Sequence, residues 1–201
     1  MATTAARSSK KRLAGKRPAT RTRPAASPRD AVSLLKADHR EVAAWFAQFD
    51  KATAVTRKND LADRICRALR VHITIEEELF YPAFLAATEQ KDLHHEAEIE
   101  HEGAERLIAD IEASDPRDDH FDARVTVLAE MITHHVKEEE QPGGMFAKAR
   151  QSDMDLRALG VEMNARKNSL QNGRSPAPRR TRGKRGSMPA FNGERAAAYR
   201  S

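Results

Sequence analysis

Four amphipathic helical seams run through this chain, and each is interrupted once, at a core position, by a histidine. The first reads Leu35, His39, Val42, Phe46, Phe49. The second reads Ile65, Leu69, His72, Glu76, Leu79, the third Ala97, His101, Ala104, Ile108, and the fourth Val125, Leu128, Ile132, His135, Glu139. Steps of three, four and seven keep all of these residues on one face of a helix, so every histidine points where an apolar side chain belongs. The second and fourth helices add a glutamate four residues later on that same face. A buried polar group without a partner costs several kcal/mol by order of magnitude. Six such groups would exceed the ~5–15 kcal/mol by which a domain is stable. One agent must satisfy them together, and a metal centre does so.

The pattern is also a repeat. His39 precedes the His72-x-x-x-Glu76 pair by 33 residues, and His101 precedes the His135-x-x-x-Glu139 pair by 34. In an antiparallel bundle the second and fourth helices run the same way, so a pseudo-two-fold axis would set two equivalent ligand sets face to face. This arrangement predicts two metals, each with about two histidines and a share of two carboxylates. Imidazole and carboxylate suit first-row metals, and the spacing alone allows iron, manganese or zinc. Cys66, the one cysteine, excludes a cysteine-based zinc or iron–sulfur site and any internal disulfide. It reads as a small core residue in a reducing compartment.

Punctuation places the helices. Ser27-Pro28-Arg29-Asp30 reads as a helix start, with Ser27 as N-cap and Pro28 in the first turn, and this helix runs to about Lys51. The second starts near Asn59-Asp60 and runs to Tyr81, where Pro82 is expected to break it. The third covers about 91–113 and the fourth about 118–140, ended by Pro142-Gly143-Gly144. A short fifth begins after Ser152 and fades near Lys167. The fold class is therefore all-α: an up-down-up-down four-helix bundle with a short C-terminal fifth helix, spanning 30–168. With one Trp, two Tyr and seven Phe, its core should be mainly aliphatic.

The net charge of +5 hides a division. Residues 1–29 carry nine Lys/Arg and no acid, and residues 165–201 carry ten with one acid, Glu194. Residues 30–164 hold 16 basic and 29 acidic side chains. The arms, 1–29 and 169–201, are rich in Ala, Arg, Ser, Pro and Gly and read as disordered. Their KKR, KR and RR clusters suit phosphates, but almost no aromatics interleave them, so the arms read either as docking non-specifically on nucleic acid or as solvated tails or intramolecular contacts with the acidic body. No stretch reaches the ~18 apolar residues of a membrane span, and the N-terminus has no apolar signal region. A cytoplasmic, nucleoid-associated location is expected.

Histidines 94, 95, 120 and 134 fall off the seams or outside the repeat and read as non-ligands. Glu77, Glu78, Glu138 and Glu140 flank the candidate ligands and read as solvent-facing residues or outer partners of them.

The segments DHREVAAWF (38–46), HITIEEELFYP (72–82), IEHEGAERLIADI (99–111) and HHVKEEEQ (134–141) together resemble the hemerythrin family, in its HHE cation-binding branch. The helix after Ser152, DMDLRALGVEMNARKNSL, is similar to that branch's closing segment. The resemblance implies two non-haem iron ions inside the bundle. It makes His39, His72, Glu76, His101, His135 and Glu139 the ligands, with Glu76 and Glu139 as bridges. The chain departs from the oxygen-carrying members. Ala97 and Glu105 stand four residues from His101, where those carry a second histidine, and His135-x-x-x-Glu139 replaces a longer-spaced His–Asp pair. One metal thus has an imidazole fewer. The resemblance points away from tight reversible oxygen carriage and toward O₂ or NO binding for sensing or stress response. The alternative is a di-iron enzyme with peroxidase-like or NO-reducing activity.

Overall fold

The structure, a computed structural model, describes residues 29–173. Residues 1–28, with Ser27 and Pro28, and 174–201 lie outside these residues, while 169–172, expected in the disordered tail, belong to α7. Seven α-helices follow in order: α1 Ala31–Lys51, α2 Val55–Ile75, α3 Tyr81–Thr88, α4 Lys91–Ala113, α5 Phe121–Glu140, α6 Met145–Gln151 and α7 Leu156–Asn172. A π-helical turn, Glu76–Phe80, joins α2 to α3. The described residues contain no strand. Among them, no helix is long and apolar enough to cross a membrane.

Helix α1 begins later than expected. Its N-cap is Asp30, whose carboxylate accepts from the Ser33 N–H at 2.8 Å and from the Ser33 hydroxyl at 2.9 Å. A carboxylate at this position satisfies an orphan N–H and sits well in the positive end of the helix dipole. Helix α2 starts at Val55 rather than near Asn59. Pro82 does not break the helical run. The π turn immediately before it bonds the Tyr81 N–H to the Glu76 carbonyl, one residue further back than an α-turn would. The wider turn accommodates a residue that brings no N–H and whose ring would otherwise meet the preceding turn. The run stops instead at Glu89, which takes a left-handed conformation (φ 55°).

The long helices pack as a ring, α1 on α2, α2 on α4, α4 on α5 and α5 on α1. This is the neighbour order of an up-down-up-down bundle. Two apolar clusters fill it. One gathers Val42, Phe49, Leu61, Ile65, Leu69, Ile108, Phe121 and Leu128 at the end nearest the α1–α2 loop. The other gathers Leu35, Ile75, Phe80, Tyr81, Phe84, Phe146 and Met163. This second cluster is aromatic-rich, contrary to the expected aliphatic core. Its rings come from the π turn and α3, and from α6, a helix the turn signal Pro142-Gly143-Gly144 conceals. The histidines lie between the two clusters, as His39 between Leu35 and Val42 illustrates.

Helix α7, which extends past Lys167 to Asn172, lies across α1 and α2. The contact is close enough to require Gly160: a Cβ there would stand 2.3 Å from the Arg29 carbonyl oxygen and 2.7 Å from the Ala31 nitrogen. Backbone cannot yield as a flexible side chain does. We therefore expect Gly160→Ala to cost about 1–3 kcal/mol, read as a lower denaturant midpoint at unchanged slope. An unchanged midpoint would show that α7 does not press on the start of α1.

Candidate metal centre

The six residues read from the seams converge. His39, His72, Glu76, His101, His135 and Glu139 are all buried, and Glu76 is fully so. The histidines form two pairs. His39 Nε2 lies 3.0 Å from His72 Nε2, and His101 Nε2 lies 3.3 Å from His135 Nε2. Each glutamate reaches both pairs. Glu76 Oε2 is 3.2 Å from His72 Nε2 and 3.5 Å from His101 Nε2. Glu139 Oε2 is 3.4 Å from His39 Nε2 and 3.6 Å from His135 Nε2.

What lies on the far side of each imidazole fixes its protonation. His39 Nδ1 donates to Glu140 at 2.8 Å, His101 Nδ1 to Glu77 at 3.2 Å and His135 Nδ1 to Glu100 at 2.7 Å. His72 Nδ1 faces Asp38 at 3.8 Å. A carboxylate hydrogen-bonded at Nδ1, as at His39, His101 and His135, favours the proton there and turns Nε2 toward the centre, whereas His72 Nδ1 has no hydrogen-bond partner. Four Nε2 atoms and two carboxylates therefore face one small space. Both oxygens of Glu76 and both of Glu139 are buried without a hydrogen-bond partner. Two imidazole lone pairs at 3.0 Å repel unless a cation sits between them. That separation is what two metal–nitrogen bonds of about 2.0–2.1 Å subtend near a right angle. The donor set and its orphaned oxygens fit the binding of a first-row cation.

The electrostatics agree. Burial lowers the pKa of His39, reinforced by the neighbouring charge of His72. Burial also lowers His72 against the pull of Asp38, and takes His101 down to about 4 against that of Glu77. Each stays neutral, as a ligand must. Burial raises Glu139 to about 7 and raises Glu76 well above the carboxylate range, with Glu139 adding to the effect at Glu76. Burial opposes charge on His135 as well, but the Glu100 hydrogen bond and the Glu139 charge outweigh it and hold its pKa up.

Two aromatic rings complete the walls. The Tyr81 hydroxyl lies 3.3 Å from His101 Nε2, and the ring stacks on His101 at 5.5 Å. Burial, with the Glu76 charge next to it, pushes the phenol pKa well up, so it stays protonated and can donate. Phe146, from α6, stacks on His39 at 5.7 Å. A cavity of about 10 Å³ adjoins the histidines under Val42, Leu69, Ile73, Ile132 and Val136. That is about the room one water-sized molecule needs.

Sequence reading missed Asp38, Glu100, Tyr81 and Phe146. The acids carry a signal: Asp38-His39 matches Glu100-His101, and Glu76-Glu77 matches Glu139-Glu140, so the repeat extends one residue beyond each ligand. Glu77, which is also exposed, and Glu140, which is half-buried, are outer partners of the histidines. Glu78 binds Arg166 at 2.6 Å and Glu138 faces His134 at 3.4 Å. His94, His95, His120 and His134 lie outside the buried set. Cys66 is buried in the core, and burial, with Glu112 nearby, raises its thiol to about 12.

A four-helix bundle whose middle layer is a buried, internally repeated His/Glu cluster defines a class of cation-binding proteins. The hemerythrin HHE cation binding domain pattern matches residues 30–142, more than half of the chain, and the chain belongs to that family. A crystal structure of a hemerythrin HHE cation binding domain-containing protein from Mycobacterium kansasii superposes with a TM-score of 0.60. It is 22% identical, with 72% of this chain and 89% of that one covered, and shows the shared fold. In sequence, the chain is 26% identical over 143 residues to a DNA nickase of Nostoc sp. (strain PCC 7120). The match covers 69% of this chain but only 39% of that relative's length.

Proposed function

We propose that the centre holds two non-haem irons and binds a small ligand, O₂ or NO, in sensing or stress response. The observation that carries this reading is the pairing of four imidazole Nε2 atoms with two carboxylates that each reach both pairs. Charge supports the count of two. Six carboxylates surround the histidines: Glu76, Glu139, Asp38, Glu77, Glu100 and Glu140. Lys36 and Lys167 neutralise Glu140 and Asp38, and the remaining four negative charges match two divalent cations. When bound, the irons would supply adjacent electron-rich sites for a diatomic ligand. The protein shields the centre with an apolar roof, limits ligand size by its cavity, and offers a proton donor in Tyr81. Metal analysis with an absorption spectrum tests the reading. Two irons per chain, and a stoichiometric spectral change on adding NO, are expected. A chain that takes up no iron refutes it.

Tyr81 gives the enzymatic alternative, peroxidase-like or NO-reducing, a proton source that the sequence reading lacked. If peroxide is turned over repeatedly, Tyr81→Phe should slow turnover by about 10²-fold or more, the range of general-acid catalysis. Steady-state peroxide consumption measures this. A binder would show one spectral change per centre in both proteins, and an undiminished rate in the variant would remove Tyr81 from the chemistry.

A second reading concerns location. The basic arms, and the DNA-directed activity in the Nostoc relative's name, favour docking on nucleic acid inside the cell, on the nucleoid. Two strongly cationic segments would release several counterions from DNA phosphates, giving sequence-independent, salt-sensitive binding. Gel shifts of the full chain and of residues 30–168 at two salt concentrations test it. Equal shifts for both would take the arms out of the account.

A further inference from the structure

The two-fold repeat of the centre is broken at one place outside it. In each half, a carboxylate just before a ligand histidine turns one oxygen to an imidazole and the other outward. In the first half, Asp38 Oδ2 faces His72 Nδ1 while Oδ1 takes the ammonium of Lys167, on α7. In the second half, Glu100 Oε2 takes His135 Nδ1, and Oε1 faces His134 Nε2 at 3.4 Å. Glu138 Oε1 lies 3.4 Å from that same nitrogen. The repeat counterparts of His134 and Glu138 are Val71 and Ile75. Both are buried, and Ile75 belongs to the cluster holding Leu159 and Met163 of α7. One half thus covers this position with apolar contacts and a lysine. The other presents an imidazole and two carboxylates, with His134 61% exposed.

We propose that Glu100, His134 and Glu138 form a third, surface site for a divalent cation, which there takes the place Lys167 holds in the other half. One ligand atom from each of the three lies within 4.8 Å of the others. The two contacts to His134 Nε2 are at ion-pair distance, longer than the ~2.7–3.2 Å of a hydrogen bond. One nitrogen and two oxygen donors, with open coordination toward solvent, suit zinc or a similar first-row ion. Glu100 is shared: an ion on Oε1 draws on the carboxylate that orients His135. The surface site therefore communicates with the buried centre through a single side chain. It does not depend on which metal fills that centre.

The test is a zinc titration of the full-length, iron-loaded protein, followed by calorimetry, with iron content measured before and after. One further zinc per chain is expected without loss of iron. His134→Ala and Glu138→Gln, which leave all six buried donors in place, should each weaken that zinc at least tenfold and retain the iron. His95→Ala serves as the control, because His94, His95 and Glu98 form another exposed group, and it should bind zinc as the parent does. Absence of a further zinc in the parent overturns the proposal, as does undiminished zinc binding in both variants. If the chain takes up no iron, the same titration counts zinc on the metal-free protein, and loss of one equivalent in His134→Ala still supports the surface site.

Discussion

Removal of the metal by a chelator is expected to lower the melting temperature by about 8 °C or more and to give the stripped protein a stability that falls as pH rises from about 6.5 to 8. The size follows from what the cations leave behind. Four carboxylate oxygens are buried without a hydrogen bond, and each unsatisfied buried group costs roughly 1–3 kcal/mol. For a chain of this size one kcal/mol moves the melting temperature by about 2–4 °C. The sign of the pH dependence follows from which groups bind protons more tightly when folded. His39, His72 and His101 have lowered pKa values, so their contribution to stability grows with pH only up to the unfolded histidine value near 6.5 and is then complete. Glu76, Glu139 and His135 have raised values. A raised group stabilises fully below its unfolded pKa and loses that contribution as pH passes through the folded one. Above pH 6.5 only this second set still titrates, so folding of the stripped protein weakens, by about 1.4 kcal/mol per proton per pH unit. The loaded protein holds the same six groups deprotonated and should not show the decline. Thermal melts of both forms at pH 6.5, 7.2 and 8 check this. Parallel curves, or a stripped protein as stable as the loaded one, would show that the six donors satisfy one another without metal.

The bundle and its ligand layer were legible because both leave a periodic trace. A histidine at a seam position is visible against the leucines, isoleucines and valines around it, and a second copy at nearly the same spacing gives the pairing of hairpins. What shapes the layer from outside is less periodic. Asp38 and Glu100 lie one step off the seam, where a carboxylate looks like any solvated acid, and only the match between the two halves marks them. Tyr81 sits just before Pro82, and a rule that ends the helix there discards the residue that faces His101. The rule fails because the π turn at Glu76–Phe80 absorbs the proline, and nothing local in Glu-Glu-Glu-Leu-Phe announces a five-residue turn. Phe146 is hidden by its own neighbours: Pro142-Gly143-Gly144 ends α5, but α6 starts directly afterwards and carries the ring back over His39. The start of α1 shifts for a similar reason. Two cap signals compete within four residues, and Asp30, which also takes a hydrogen bond from Arg150 of α6 at 3.1 Å, is fixed by tertiary contacts as well as by Ser33.

Replacement of Glu76 by Ala is expected to empty the whole centre, not half of it. A terminal ligand serves one cation, and its loss leaves the other site with its full set. In the proposed two-iron centre Glu76 would not be a terminal ligand: its Oε2 stands 3.2 Å from His72 and 3.5 Å from His101, which belong to different histidine pairs. Glu139 does the same from the opposite side, between His39 and His135. Each pair alone is two neutral imidazoles, and two neutral donors hold a first-row cation far more weakly than a set that includes carboxylate. Loss of an outer partner of a metal ligand already costs about 10–100-fold in affinity, so loss of a shared inner carboxylate should exceed about a hundredfold for both ions at once. Glu76→Ala and Glu139→Ala should therefore each purify with well under one iron per chain, whereas His94→Ala keeps the parent's content. Glu76→Gln separates charge from shape: the amide fills the same volume and retains one acceptor oxygen, but carries no negative charge. If it binds metal as poorly as Glu76→Ala, the carboxylate charge holds the pair together. A stable single iron per chain in Glu76→Ala would show instead that the two histidine pairs bind independently, and that the glutamates do not bridge them.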